Sequence, residues 1–145
     1  MSTVPNKVGI ETKPYTFTVE RGKIAEFVKA IGDTNPIYTN VEVAKEKGYR
    51  DIPAPLTFAT VIDLWGGLSF NELVEFLEVN PLKVLHGEQS YEYGKTICAG
   101  DTITVIMKVV KQREKVGMKM FTLETHYQNE ENETVLKAIS VVIER

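Results

Sequence analysis

"IPAPLTFATVIDLWGGL", residues 52–68, decides the architecture. Pro55 can open a helix at its first turn, where the missing N–H costs no hydrogen bond. Beyond it Leu56, Phe58, Ala59, Val61, Ile62, Leu64 and Trp65 fall on nearly every side of a helical wheel. A surface helix carries one apolar stripe, whereas a helix apolar all round must be surrounded by other structure. Gly66 and Gly67 end it. Phe58 and Trp65 are read as core or lining residues. Asp63 is the one acid inside the segment. A buried carboxylate without a partner is costly, so Asp63 is expected to cap or pair locally.

On the N-terminal side, "PYTFTVE" (14–20) alternates Tyr15, Phe17 and Val19 against Thr16, Thr18 and Glu20, the period of a strand. "GKIAEFVKAIG" (22–32) places Ile24, Phe27, Val28 and Ile31 on one helical stripe ended by Gly32. Asn40 can cap a short helix through Lys47, stopped by Gly48. On the C-terminal side, "FNELVEFLEVN" reads as another short helix before Pro81. From there the period changes to two. Four β-like stretches follow: "LKVLHGEQSYEYG", "DTITVIMKVVKQREK", "GMKMFTLETHYQ" and "ETVLKAISVVIER". Ile103, Val105, Met107 and Val109 share one face. Phe121, Leu123 and Tyr127 oppose Met120, Glu124 and His126. "KVGMK" and "NEENE" read as hairpin turns. Strands of this length joined by short turns make an antiparallel sheet. The class is α+β.

The chain has 145 residues, which suits one domain, 1–145, with a real core. With 43% hydrophobic and 26% charged residues, disorder is not expected. A net charge of −3, with nothing more basic than the loose "KVVKQREK" (108–115), argues against nucleic acid or an anionic membrane as partner. No apolar run is long enough to span a bilayer, and "MSTVPNKVGIETK" lacks the pattern of a leader, so a cytoplasmic protein is expected. Cys98, the one cysteine, beside the turn signal "AGD", reads as a small apolar residue at a strand end. Two separated histidines and a lone cysteine point to no metal site, and neither "GDTNP" nor "WGGL" has the pattern of a nucleotide-binding loop, so no cofactor is expected.

The polar stretch "AIGDTNPIYTN" (30–40) carries the chemistry. By residue type alone, Asp33 before Asn35-Pro36 is a turn-maker. With "VEVAKEKGYRDIPAPLTFATV" behind it, however, the stretch closely resembles the MaoC-like family of (R)-specific enoyl hydratases and 3-hydroxyacyl dehydratases. That family has Gly-Asp-x-Asn-Pro-x-His, a short Ala-containing helix, a Gly, and an Ala-His-Gly leading into its central helix. Gly32, Asp33, Asn35 and Pro36 match position by position, and Ala44 and Gly48 match in spacing. "FTVERGKIAEFVKAIGD" and "LHGEQSYEYGKTICAGDTI" extend the likeness over most of the chain. The resemblance implies a hot-dog fold, a curved antiparallel sheet wrapped around the central apolar helix. Its open face and edge would be covered by a second hot-dog copy, in a homodimer or heterodimer.

The departures define the functional expectation. The family's catalytic histidine falls at Tyr38, and its Ala-His-Gly falls at Ala54-Pro55-Leu56. Leu56 still carries the backbone N–H that could help hold a thioester oxygen. Enoyl-thioester hydration needs a water held by an acid and a base, each protonation role being worth about 10²–10⁴ in rate. A phenol, with an ordinary pKa near 10 against about 6.5 for imidazole, is a poor base at neutral pH. The resemblance makes Asp33 and Tyr38 the catalytic-position candidates. It makes Asn35, Pro36, Pro55, Leu56, His86 and Gly87 the candidates for substrate binding. It implies a lyase subunit that shapes the acyl pocket for an acyl-CoA or acyl-carrier-protein thioester and is completed by a catalytic hot-dog chain. Three alternatives stay open: a homodimeric hydratase using Asp33 with Tyr38 or His86, a hot-dog thioesterase using Asp63, and a non-enzymatic acyl-binding module.

Overall fold

Strand patterning in the second half of the chain builds most of the sheet. The structure, a computed structural model, describes residues 5–145. Residues 1–4, at the head of the expected domain and of the stretch read as lacking a leader, lie outside the described residues. A short strand β1 (Tyr15–Thr18) is followed by four helices: α1 (Arg21–Ile31), α2 (Val41–Glu46), α3 (Ala59–Gly66) and α4 (Phe70–Leu77). Four long strands come next: β2 (Val84–Tyr93), β3 (Thr102–Lys115), β4 (Met118–Gln128) and β5 (Thr134–Glu144). They form one antiparallel sheet in the order β1-β3-β4-β5-β2. β3, β4 and β5 are a meander, and β1 and β2 close onto its two sides.

The turns follow from local chemistry. Between β3 and β4 the chain reverses over Val116 and Gly117, both with positive φ (50° and 76°), the geometry that matches strand twist in a two-residue hairpin. Gly117 suits it; Val116 adopts it against its own preference. Between β4 and β5, the Asn129 side chain accepts from the Glu131 and Glu133 N–H groups, each at 2.9 Å.

The inward faces are those the alternation predicts: Ile103, Val105 and Val109 on β3, then Phe121, Leu123 and Tyr127 on β4, all buried. On Ile103, Val105 and Tyr127 pack Phe58, Ala59 and Ile62 of α3 and its approach, together with Ile24 and Val28 of α1. Each such side chain taken fully out of water contributes about 1.5–3 kcal/mol. Ile31, the last residue of the expected α1 stripe, is exposed. A second cluster lies at the other end of the sheet, where Leu77 of α4 meets Val109, Phe121 and Val142. Ser69 caps α4, its hydroxyl accepting from the Glu72 N–H at 3.2 Å.

The central helix departs from expectation in two ways. It starts at Ala59 rather than Pro55, because residues 55–58 form a turn in which the Phe58 N–H bonds the Pro55 carbonyl. It is also covered on one side only. Phe58 is buried, but Trp65 is 80% exposed, Leu64 73% and Leu56 67%. One open sheet can cover one face of an eight-residue helix, so the opposite apolar face is bare within a single chain. Trp65 is therefore not a core residue of this chain. β2 is bare as well: it pairs only with β5, and most of its residues are exposed.

Candidate functional site

The Asp-x-Asn-Pro stretch folds through its own side chains. Gly32, at φ 75°, ends α1, and the Asp33 N–H returns to the Val28 carbonyl at 2.9 Å. Asp33 Oδ1 accepts from the Asn35 N–H at 2.9 Å, and Asn35 Oδ1 accepts from the Ile37 N–H at 3.1 Å. Pro36 then opens a single 3-10 turn that ends on Tyr38. Asp33, Asn35 and Pro36 are exposed, whereas Tyr38 is half-buried against the main core cluster. Burial, then the Asp33 charge, then Tyr49 push the Tyr38 phenol above its ordinary value of 10. The loop thus brings Asp33 and Tyr38 together, and their proximity keeps the phenol protonated, so that no phenolate base is populated at neutral pH.

The turn before α3 offers donors. Pro55 is buried, and the Leu56 carbonyl accepts from the Tyr93 hydroxyl at 2.6 Å. The Leu56 and Thr57 N–H groups have no acceptor among the described residues. They are donors left over by the turn that leads into α3. Pro55 and Leu56 line a small cavity of about 100 Å³ closed by Tyr93 and Val135.

A larger cavity, about 290 Å³, lies between α3 and the inner face of the sheet. Asp63 sits on its wall. Asp63 Oδ1 accepts from the Tyr127 hydroxyl at 2.6 Å and from the Tyr15 hydroxyl at 3.4 Å. Burial raises the Asp63 carboxyl to about 6, held there from rising further by the two phenols; both phenols are pushed up in turn, by burial first and then by the Asp63 charge. His86 and Gln89 of β2 reach this cavity together because of a bulge between His86 and Glu88. Gly87 occupies the bulge, where a Cβ would stand 2.7 Å from Ile143 Cδ1. The Ile143 side chain packed over this position is what a larger residue here would have to displace.

The residues singled out in the sequence therefore divide. Asp33, Asn35, Pro36 and Tyr38 share one loop; Pro55 and Leu56 border the small cavity; His86 lines the larger one with Asp63. The sequence reading missed the bond from Asp63 to two distant tyrosines. Tyr15 and Tyr127 fall on inward strand faces, where a hydroxyl needs an acceptor, and α3 supplies one acid. His126 pairs on the surface with Glu124 at 2.7 Å. Cys98 is buried and donates its backbone N–H to Asp101, which Arg50 grips with its two terminal guanidinium nitrogens. Among the described residues no three His, Cys, Asp or Glu side chains converge as metal ligands would, and no helix is long and apolar enough to cross a membrane.

Residues 6–138 match the family described as "FAS1-like, dehydratase domain region". A UPF0336 protein of Thermobifida fusca is 32% identical over 133 residues, 91% of this chain and 86% of that protein. A chain of the C-terminally truncated HadBC (3R-hydroxyacyl-ACP dehydratase) complex from Mycobacterium tuberculosis superposes with a TM-score of 0.83 at 23% identity, covering 96% of this chain and 98% of that one. The unliganded R-hydratase of Pseudomonas aeruginosa superposes with a TM-score of 0.73 at 16% identity, covering 96% of this chain and 82% of that one. These likenesses establish the hot-dog fold, with its sheet left open.

Proposed function

This chain belongs to the FAS1-like dehydratase-region family of hot-dog hydratases and dehydratases, and from that premise we propose that it is the pocket-shaping subunit of a (R)-3-hydroxyacyl-thioester dehydratase, or enoyl-thioester hydratase, without a complete acid–base pair of its own. The observation that carries this reading is Tyr38. It stands beside Asp33 where the family motif has histidine, and burial and the Asp33 charge hold its phenol protonated, so no phenolate is on hand at neutral pH to act as a base. In such a reaction a water must gain or lose a proton while charge grows on the thioester carbonyl. The free N–H groups of Leu56 and Thr57 suit that carbonyl. Asp33 can orient a water, but nothing in the loop accepts a proton well at neutral pH. A missing base costs about 3–5 kcal/mol of barrier unless a partner supplies it.

Two bare surfaces support a single hot-dog domain that works with a second chain. Exposed Leu64 and Trp65 on α3, with Leu56 in the turn before it, give one, and the unpaired edge of β2 gives the other. The partner in this reading is a hot-dog chain carrying an intact Asp/His loop, and the substrate is an acyl-CoA or acyl-carrier-protein thioester in cytoplasmic fatty-acid metabolism. The larger cavity takes the acyl chain. The purified chain, alone and mixed with such a partner, is tested on crotonyl thioester by loss of the enoyl absorbance. The lone chain is expected to be nearly silent and the mixture active; efficient turnover by the lone chain overturns the assignment. One observation favours a second reading, a hot-dog thioesterase: Asp63 is a largely buried acid on the central helix that faces a cavity. Release of free thiol without a partner separates the two.

A further inference from the structure

Asp63 serves neither the loop nor the turn before α3. One of its oxygens is fully used, since Oδ1 takes the Tyr127 hydroxyl at 2.6 Å and the Tyr15 hydroxyl at 3.4 Å. Oδ2 has no hydrogen-bond partner among the described residues, yet no fully buried side-chain polar atom there is left unsatisfied. Oδ2 therefore opens onto the cavity. Three elements fix its aim: α3 carries Asp63, β1 carries Tyr15 and β4 carries Tyr127. Gly67 lets Tyr15 close in, because a Cβ there would lie 2.6 Å from the Tyr15 hydroxyl oxygen.

The cavity walls match a two-part ligand. Leu73, Met107 and Leu123 offer apolar surface, while Thr60, Thr125 and Ser140 bring hydroxyls into the same space. The volume, about 290 Å³, equals that of roughly ten liquid waters, enough for a short chain. A plain alkyl chain entering it would strip water from Oδ2 and return no hydrogen bond. A chain with a hydroxyl at the right depth would replace that water. An ammonium group suits the site less well, because burying its charge strips far more hydration than burying a hydroxyl, and that penalty can exceed what pairing with Asp63 returns.

We propose that the cavity is a binding site for an aliphatic chain bearing a hydroxyl group, held by donation from that hydroxyl to Asp63 Oδ2. Together with the dehydratase reading, on which this step rests, the substrate class is an acyl thioester carrying a second hydroxyl remote from the thioester.

Octanol and octyl methyl ether, which share a chain but differ in the donor, provide the test by calorimetric titration of the purified protein. Octanol is expected to bind roughly ten- to a hundredfold tighter. Asp63→Leu is expected to abolish the preference, and Asp63→Asn, which keeps the shape, to reduce it to a few-fold. Equal affinities, no binding of either probe, tighter binding of octylamine than of octanol, or a preference that survives both substitutions overturns the proposal. Enoyl-thioester hydration with the partner chain is measured in parallel. Hydration without alcohol preference removes this inference alone, and alcohol preference without hydration removes the dehydratase reading alone.

Discussion

Replacing Asp63 with asparagine should change how stability depends on pH. The Asp63 carboxyl is raised from 3.8 to about 6 by burial. At about 1.36 kcal/mol for each pH unit, the difference between folded and unfolded states comes to about 3 kcal/mol. The sign follows from which state holds the proton. Between about 4 and 6 the folded chain keeps a proton that the unfolded chain has released, so this stabilisation is complete below the unfolded pKa. It is lost as pH rises through about 6, leaving at neutral pH a buried charge. Asp51, Glu124, Glu133 and Glu144 are held below their ordinary values and act in the opposite sense, their stabilisation fading as pH falls. Comparing wild type with Asp63→Asn cancels them. Urea unfolding of both proteins at pH 4 and pH 7.5 should show the variant gaining about 2.5 kcal/mol on wild type across that interval. That corresponds to roughly 1–2 M in midpoint. Parallel profiles, agreeing within about 0.5 kcal/mol, would refute the account of Asp63 as a buried carboxylate whose two phenols only partly offset its burial.

Three further outcomes follow from the same structure. Tyr38→His puts an imidazole beside Asp33, and the lone chain should then hydrate crotonyl thioester about 10²-fold faster or more, while Tyr38→Phe stays silent in the same absorbance assay. Gly67→Ala drives a methyl into the Tyr15 hydroxyl and the Asp63 carbonyl, so it should cost about 1–3 kcal/mol, read as a lowered midpoint in thermal unfolding. Replacing exposed Leu64 and Trp65 together with alanine should leave urea stability of the separated chain within about 0.5 kcal/mol, yet weaken subunit association by about 2 kcal/mol or more, measured by light scattering across concentrations.

Much of the fold is legible because strand and helix periods leave marks that no distant residue can change. The alternation in β3 and β4 names the inward side chains, and "KVGMK" names the turn. Asn40 and Gly32 mark helix ends by capping chemistry alone. The limits are equally physical. An all-apolar segment announces that it will be covered but not by which chain. The pattern calls for cover over Leu64 and Trp65, and the sheet of this chain covers only the opposite side of α3. The bulge at Gly87 could not be read either, because it is a shift in the register of β2 against β5, a strand some fifty residues further along the chain.

The site was legible in proportion to how local its chemistry is. The Asp33 and Asn35 turns close within two residues, so residue type and spacing suffice, and both bonds form as turn chemistry dictates. Asp63 is the contrary case. Its phenol partners lie 48 and 64 positions away, on strands that meet only after the sheet has formed. Local capping was the cheaper reading, but α3 is a short helix whose inward face meets the sheet, so the partners come from the sheet. A stricter count of donors and acceptors would have reached them. Tyr15 and Tyr127 are each on the inward face of a strand, a buried hydroxyl demands an acceptor, and the central helix contains a single carboxylate. Only the strand faces are needed for this, and periodicity provides them. The acid is tolerated because two phenols share one oxygen, the other is not sealed in, and the carboxyl can take up a proton when neither suffices.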